Sequence, residues 1–386
     1  MQFGARRIFL GAAVVAAAVC AGVAAQAVSA QAPTDKAPMS EEVFKNIQIL
    51  KGIPVDTFFE SMGMFANALG NDCTYCHSSQ AYFDKAAFAE QTPLMNRARQ
   101  MIVMMNTINK QFFGGEPRVT CFSCHNGKER PRAEPDILLQ YGIPAEDPNI
   151  RQFPPDTSFT VDQMFDQYLQ AVGGTGNLAK FTSYSATGSY VGFDSGRGQI
   201  PVEVFGRRQP QGPPQLATFV HMFNGDSIRT FDGQNGWQAG PDTPMPVLTL
   251  TDGNLDRVRL EAMVTFPSAD LKKTFPEWRT ASTTINERTV RVVQGIRDGQ
   301  VLANFYFDPK TALLVRVVRW TRTPVGFVPT HIDLSDYRDI AGIKFPFRKT
   351  VTQTYMQMTV ELKDIQPNVQ VPASRFARPA PFVPKG

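Results

Sequence analysis

Four of the five cysteines in this sequence fall into two motifs of the same pattern, Cys-x-x-Cys-His. The motifs supply four thiols and two imidazoles, at Cys73, Cys76, His77, Cys121, Cys124 and His125. Two thiols about one helical turn apart can bond both vinyl groups of one haem, and the adjacent histidine then supplies an axial nitrogen to the iron. The pattern therefore predicts two covalently attached haem c groups.

Zinc binding is the alternative chemistry, because paired Cys-x-x-Cys motifs also hold zinc. Cys121 follows Cys76 by 45 positions, which is outside the usual spacing of a zinc ribbon, and a histidine directly follows each pair. The fifth cysteine, Cys20, lies in an apolar N-terminal stretch. This arrangement favours haem attachment over a disulfide framework, a zinc site or a catalytic thiol.

The second axial ligand decides what a haem iron can do, and spare histidines are scarce. His221 and His331 lie in β-type sequence and are predicted to be ordinary sheet residues. Methionine is the remaining ligand, because its neutral thioether favours ferrous haem. The candidates in the N-terminal part are Met62, Met64, Met95, Met101, Met104 and Met105. Most of them must simply fill the core, since only one methionine per haem can be a ligand.

Helical spacing places some of these methionines on apolar stripes. The first stripe comprises Phe58, Met62, Phe65 and Leu69, and Gly70 ends it. The second follows a Thr92-Pro93 helix start and comprises Leu94, Ala98, Met101, Met105, Ile108 and Phe112. The first stripe favours Met62 over Met64 as a ligand. The second stripe does not choose between Met101 and Met105.

The order of these motifs resembles one half of the multihaem cytochrome c subunit of photosynthetic reaction centres. The resemblance covers about residues 40–130 and rests on residues 44–50, Met62, residues 73–77, residues 98–101 and residues 119–125. It implies that Met62 and Met101 are the axial ligands, with Met105 and Met104 as alternatives to Met101. The sequence differs from that family in having two haem motifs instead of four and no histidine in residues 112–120.

The first 30 residues are predicted to be a signal peptide. Arg6 and Arg7 precede an apolar run from Ile8 to Ala25, and small residues follow at 28–30. No later segment reaches 18 uninterrupted apolar residues, so no membrane span is predicted there. We therefore expect an exported, periplasmic protein, with membrane association through a lipid on Cys20 as the alternative to a soluble mature chain.

Composition divides the remaining chain into a helical and a β-rich part. We predict a mostly α-helical dihaem cytochrome c domain at 38–130, a proline-rich linker at 131–158, a β-rich domain at 159–372 and a tail at 373–386. A capping box at residues 160–163 predicts a helix that leads the β-rich domain, and a short helical stretch is expected at 255–273. The fold class is thus multidomain α plus β, with an antiparallel, half-barrel-like sheet.

The β-rich part more faintly resembles periplasmic lipoprotein-carrier domains, through residues 231–237, 336–339 and 345–347. That resemblance implies a curved, incomplete barrel around a helix, which could hold a lipid or another apolar ligand. A docking or structural module is the favoured interpretation, because fold alone does not fix function.

Charge narrows the range of partners. The formal net charge is +4, and no basic run interleaved with aromatic residues occurs, so a nucleic-acid partner is not expected. The predicted function is electron transfer with redox partner proteins, and the resemblance adds a membrane redox complex as a partner. A non-enzymatic carrier is favoured over a dihaem peroxidase with one open iron and over an apolar-ligand carrier with a redox-sensing cytochrome module.

Overall fold

An antiparallel sheet of thirteen strands dominates the part of the chain that the computed structural model describes, residues 36–135, 149–192, 195–196, 198–241, 243–285 and 287–383. The predicted signal peptide, with Cys20, and residues 136–148 of the predicted linker lie outside these residues. One compact unit extends from Lys36 to Gly386. Within the described ranges, no helix has the length and apolarity needed to cross a membrane.

The strands form two successive meanders joined side by side. Their bounds are β1 Ser183–Gly192, β2 Ile200–Arg207, β3 Gln215–Met222, β4 Gly225–Phe231, β5 Gly236–Ala239, β6 Leu248–Leu250, β7 Glu277–Ile285, β8 Arg288–Arg297, β9 Gln300–Phe307, β10 Leu314–Thr323, β11 Gly326–Ile340, β12 Ile343–Thr352 and β13 Gln357–Pro367. The order runs from β6 back to β1, then β13 back to β7, so β1 pairs with β13 and the sheet is open at β6 and β7. The predicted antiparallel sheet is confirmed.

Seven α-helices accompany the sheet in the described residues. They are α1 Ser40–Val43, α2 Val55–Leu69, α3 Pro93–Phe112, α4 Cys121–His125, α5 Val161–Ala171, α6 Gly174–Lys180 and α7 Asp252–Thr265. The predicted leading helix is α5, and its capping box is confirmed, since Thr160 and Gln163 exchange side-chain to backbone hydrogen bonds. Helix α7 and a 3₁₀ turn at Ala269–Lys273 confirm the helical stretch predicted at 255–273 and carry the chain between the two open edges.

Helices α5 and α7 cover one face of the sheet and share a single apolar core with it. Phe165 of α5 is fully buried against Trp278, Phe305 and Phe307. Burying one such aromatic side chain stabilises a fold by about 1.5–3 kcal/mol. On β13, Met358 and Val360, two positions apart, are buried, and Leu362 packs partly buried against the same core.

Helix α2 joins the haem-motif segment to this sheet through a polar face that the apolar stripe does not predict. Asp56 accepts hydrogen bonds from the Thr251 backbone N (2.7 Å) and the Thr251 Oγ1 (2.7 Å) at the start of α7. Glu60 is also buried, and burial raises the pKa of its carboxyl to about 7. The stripe residues Phe58, Met62 and Phe65 are only partly buried. The polar residues Asp56 and Glu60 of α2 therefore face the β-rich part of the molecule. The predicted apolar stripe lies towards the two Cys-x-x-Cys-His motifs.

Segments predicted as linker and tail also pack on the sheet. Phe153 is buried edge-on to Tyr306, and Pro155 forms an isolated antiparallel bridge with Ala281. Near the C-terminus, Phe376 is fully buried in a small cluster with Phe205. These contacts attach both segments to the β-rich part of the molecule.

Candidate haem-attachment sites

The first motif forms a single 3₁₀ turn, Cys73–Tyr75, directly after α2. Gly70 ends α2 with a left-handed backbone conformation, φ +67°, which glycine adopts without strain. The Asp72 carboxylate then accepts hydrogen bonds from the Thr74 backbone N (2.8 Å) and Oγ1 (2.6 Å). Thr92, the N-cap of α3, donates from its Oγ1 to the Cys76 carbonyl oxygen at 2.6 Å. The first pair of thiols is thus held between the end of α2 and the start of α3.

The second motif forms the short helix α4, and Thr120 is its N-cap. Thr120 and Ser123 make a capping box, in which the Thr120 backbone N donates to the Ser123 Oγ at 3.1 Å. The helix ends at Asn126, which has a positive φ of 49°. The backbone N of Gly127 donates to the Ala68 carbonyl oxygen of α2 at 2.9 Å. The second motif therefore lies beside the same helix that precedes the first.

Asn109 of α3 fixes the chain that leads into the second motif. Its Nδ2 donates to the Val119 carbonyl oxygen at 2.7 Å, and its Oδ1 accepts from the backbone N of Arg118 (3.1 Å) and of Val119 (2.9 Å). This residue is 5% exposed and was not predicted as part of the site. Its position two turns after Ile102, on the face that α3 buries, was the available signal, but a polar residue at such a position does not by itself indicate what it binds.

Both motif histidines are oriented in the same way. The His77 Nδ1 donates to the Phe88 carbonyl oxygen at 2.8 Å, and the His125 Nδ1 donates to the Lys128 carbonyl oxygen at 3.0 Å. Because a carbonyl can only accept, each ring is the tautomer that leaves Nε2 with a free lone pair. Burial also lowers the pKa of His77, which favours the neutral ring. A histidine that binds a metal through one ring nitrogen usually donates a hydrogen bond from its other ring nitrogen in this way.

The four motif cysteines are free thiols and form no disulfide. Burial raises the pKa of Cys121 to about 11 and also raises the pKa of Cys73 and Cys76. The thiols of Cys73, Cys76 and Cys121 are therefore protonated at neutral pH. In the described residues, no cluster of three or more His, Cys, Asp or Glu side chains could hold a metal ion. The four thiols thus lie in two separate pairs, one in each motif.

The predicted methionine ligands have different surroundings. Met62 is partly buried and packs against the apolar cluster that includes Met64 and Met105, against which Cys121 of the second motif also packs. Met101 and Met104 are 39% and 46% exposed. Met105 is 5% exposed and packs in the same cluster. Helix α3 buries Ile102, Met105 and Asn109. The predicted stripe placed Met101 and Met105 on one face, and it is wrong as a prediction of the face that α3 buries in the protein.

The two other histidines lie on the sheet, as predicted. His221 of β3 contacts two carboxylates, with its Nδ1 3.0 Å from Asp226 Oδ1 and its Nε2 3.5 Å from Glu203 Oε2. The Nε2 of His331, on β11, is 3.0 Å from Asn149 Oδ1.

Exposed apolar side chains are concentrated around the two motifs, and this distribution fits large apolar groups bound there. Of the fifteen large apolar residues that are exposed in the described parts of the chain, nine lie between residues 83 and 122. They are Phe83, Phe88, Leu94, Met101, Val103, Met104, Phe112, Phe113 and Phe122. Such a concentration marks a surface that another group covers. Together with the free thiols and the free Nε2 atoms, it shows that the residues present fit two c-type haems.

Comparisons with known proteins agree with the resemblance of the N-terminal part. Residues 1–134 match the family model described as the photosynthetic reaction centre cytochrome C subunit. The photosynthetic reaction center cytochrome c subunit of Roseobacter denitrificans is 28% identical over 96 residues, which are 22% of this chain. The match spans 26% of the length of that relative. The similarity of about residues 40–130 to this family is confirmed.

The β-rich part is similar to solved structures of another kind. An outer membrane lipoprotein-sorting protein domain from Vibrio parahaemolyticus covers 55% of this chain and 97% of its own, with 9% identity and a TM-score of 0.35. A LolA superfamily protein from Nitrosomonas europaea covers 57% and 98%, with 9% identity and the same TM-score of 0.35. These descriptions agree with the predicted resemblance to lipoprotein-carrier domains.

Proposed function

We propose that this protein transfers electrons outside the cytoplasm through two covalently attached c-type haems with His/Met ligation. A haem held in this way takes up and releases one electron at its iron. The observation that carries the proposal is the matched orientation of His77 and His125, whose Nδ1 atoms are bonded to backbone carbonyls while Nε2 is left for a metal. The similarity of residues 1–134 to reaction-centre cytochrome subunits supports it.

Each haem would be held by residues of one motif and one methionine. Cys73 and Cys76 would form the thioether bonds of the first haem, and Cys121 and Cys124 those of the second. We assign Met62 and Met101 as the second axial ligands. The 39% exposure of Met101 supports this choice over Met105, since a ligand must face the haem and not the protein core. With both axial positions filled, no substrate can bind at iron, which favours a carrier over a peroxidase.

The charge of α3 and of the segment around the second motif supports docking of an acidic redox partner. Residues 93–132 contain seven basic side chains and two acidic ones, Glu116 and Glu129. The basic residues are Arg97, Arg99, Lys110, Arg118, Lys128, Arg130 and Arg132. A surface of one sign accelerates association with a partner of the opposite sign, and salt weakens the effect. We expect electron transfer to an acidic carrier protein to slow with rising ionic strength and transfer to a basic carrier to show no such decline.

Haem content is the decisive measurement. The full chain, expressed in bacteria that possess a haem-attachment system, should show in a denaturing mass spectrum the mass of two haems. The same spectrum tests export, because the mass of residues 1–30 should be missing. A species without added haem mass would rule out the proposal.

Carbon monoxide binding separates the carrier from a peroxidase. In a stopped-flow experiment on the ferrous protein, two irons with methionine ligands should bind carbon monoxide slowly or not at all. Fast, stoichiometric binding at one haem would show an open iron and would favour the enzyme.

A further inference from the structure

A second candidate site lies away from the haem motifs, in a cavity of about 90 Å³ between α2 and the sheet. Its lining has two parts. Met222, Leu248, Met356 and Met358 form an apolar part, and Glu60 of α2 faces Arg257 of α7 across the polar part. Methionine side chains adapt their shape to what they contact, so this apolar part can accommodate a small guest.

Two polar side chains in the cavity wall are buried without full hydrogen bonding. Glu60 is 3% exposed, and its Oε1 accepts one bond from the Gln353 Nε2 at 3.4 Å while its Oε2 has no partner. Arg257 is 4% exposed, and its Nε and Nη1 have no partner. Glu60 and Arg257 attract each other electrostatically but make no direct ion pair. Buried groups of this kind normally have partners, so a guest between the two side chains would satisfy both.

The other charged side chains around the cavity have hydrogen-bond or ion-pair partners. Counting all the charges there gives the net charge of the site. Glu261, beside the cavity, accepts from the Lys349 Nζ at 2.9 Å and lies 3.9 Å from the Arg229 Nη1. Asp56 accepts bonds from Thr251 and Asn254. Three carboxylates, Asp56, Glu60 and Glu261, therefore face three cations, Arg229, Arg257 and Lys349. Since these charges balance, an ionic guest would introduce an uncompensated buried charge.

We infer that this cavity binds a small, neutral, hydroxylated apolar molecule. One hydroxyl group can donate to the Glu60 Oε2 and accept from Arg257 through the same oxygen, which is the combination that the two side chains lack. The apolar body of the guest then packs on Met222, Met356 and Met358. A chain of water molecules could bridge the polar part, but it would gain nothing from the apolar part.

Three isosteric probes test the inference on the haem-loaded full chain in mildly alkaline buffer: 1-butanol, butanoate and 1-butylamine. Titration is followed by calorimetry and by the methyl resonances of methionines labelled with carbon-13. We expect 1-butanol to shift the Met222, Met356 and Met358 methyls and to bind at least tenfold more tightly than either ion. Equal or tighter binding of an ion, or no binding of 1-butanol, would overturn the inference.

Charge variants make the test sharper. Glu60→Gln leaves the site with one excess positive charge, so butanoate should then bind more tightly than 1-butanol. Arg257→Gln should shift the preference to 1-butylamine. Arg288→Gln, at an exposed position on β8, is the matched control and should leave the selectivity unchanged. If Arg257→Gln does not fold, the Glu60→Gln selectivity alone decides, and an unchanged preference for 1-butanol there would show that Glu60 does not hold the hydroxyl group and would overturn the inference.

Discussion

The two Cys-x-x-Cys-His motifs have the same pattern but different surroundings. The first is a 3₁₀ turn that hydrogen bonds to the start of α3 through Thr92. The second is a capped helix, and the residues around it contact three other elements. Gly127 hydrogen bonds to α2, Val119 hydrogen bonds to Asn109 of α3, and Thr120 lies against the β10–β11 hairpin. At that hairpin, Gly326 lies so close to Thr120 that a β-carbon would come within 2.8 Å of the Thr120 Cγ2.

This difference predicts that, of the two proposed haems, the second is the one coupled to the sheet. Val325 and Val328 of the hairpin pack in one apolar cluster with Cys121, Met64 and Met105. The first motif is followed by two 3₁₀ turns, Ser79–Tyr82 and Lys85–Ala89, and the latter contacts the sheet side through Lys85 and the Thr243 carbonyl oxygen. Changes in the sheet should therefore affect the second haem more than the first.

Removing the thiols of each motif in turn should give the largest effects. Cys73→Ala with Cys76→Ala, and Cys121→Ala with Cys124→Ala, should each reduce the covalent haem count from two to one in a denaturing mass spectrum. The variant without Cys121 and Cys124 should also melt at a lower temperature than the variant without Cys73 and Cys76. The reason is that the segment around the second motif contacts α2, α3 and the β10–β11 hairpin. Equal melting temperatures for the two variants would contradict the proposed difference between the motifs.

The single-haem variants also identify the methionine ligands. Met62→Ala in the chain that keeps the first motif, and Met101→Ala in the chain that keeps the second, should each lower the haem potential by about 0.1 V, since axial ligands tune haem potentials over about 0.8 V. Spectroelectrochemical titration measures this shift. A shift from Met62→Ala in the chain that keeps only the second motif would reassign Met62 to the second haem, since Met62 and Cys121 pack against the same apolar cluster.

Met105→Ala is the matched control for these ligands. Because Met105 is buried, its truncation should leave a cavity and lower the free energy of unfolding by about 2–5 kcal/mol. The potentials of both haems should stay unchanged. A lowered potential in this variant would transfer the assignment from Met101 to Met105.

The local structure could be predicted largely from the sequence because its causes are local. Thr160 and Gln163 made a capping box, and Thr92 and Pro93 started α3. The motif residues themselves identified the thiols and imidazoles. In each of these cases a few neighbouring residues determine the outcome.

Long-range contacts could not be predicted in the same way. Nothing local to Gly326 indicates its approach to Thr120, about two hundred positions earlier, and the pairing of β1 with β13 depends on the whole meander. The buried face of α3 also differed from the predicted stripe, because the stripe used residues that face away from the protein core. An apolar stripe indicates which residues avoid water, and it does not distinguish protein core from a haem.

Asn109→Ala tests the anchor of the second motif. This change leaves the Val119 carbonyl oxygen and the Val119 backbone N–H without a partner, while the Arg118 N–H keeps the Glu116 carbonyl oxygen as acceptor, so it should lower the free energy of unfolding by about 2–4 kcal/mol. Thr92→Ala, the corresponding change at the first motif, removes an N-cap and should have a smaller effect of about 1 kcal/mol. Chemical denaturation of the haem-loaded protein measures both. Asn106→Ala, at an exposed position on the same helix, is the control.

The smallest effect that we expect is a shift in the potential of the second haem, and it directly tests the coupling of that haem to the sheet. Gly326 has φ +132°, and a β-carbon there would clash with Thr120, so Gly326→Ala should destabilise the protein by about 1–3 kcal/mol. Gly299→Ala shares the positive φ, +69°, but meets nothing within 4 Å, and so controls for backbone strain alone. Because Thr120 caps the helix that carries Cys121 and His125, Gly326→Ala should also shift the potential of the second haem, measured in the chain that keeps only that motif. Gly299→Ala should not. If both variants leave that potential unchanged while Gly326→Ala is destabilised, the hairpin supports the fold but not the haem, and the two motifs do not differ in their coupling to the sheet.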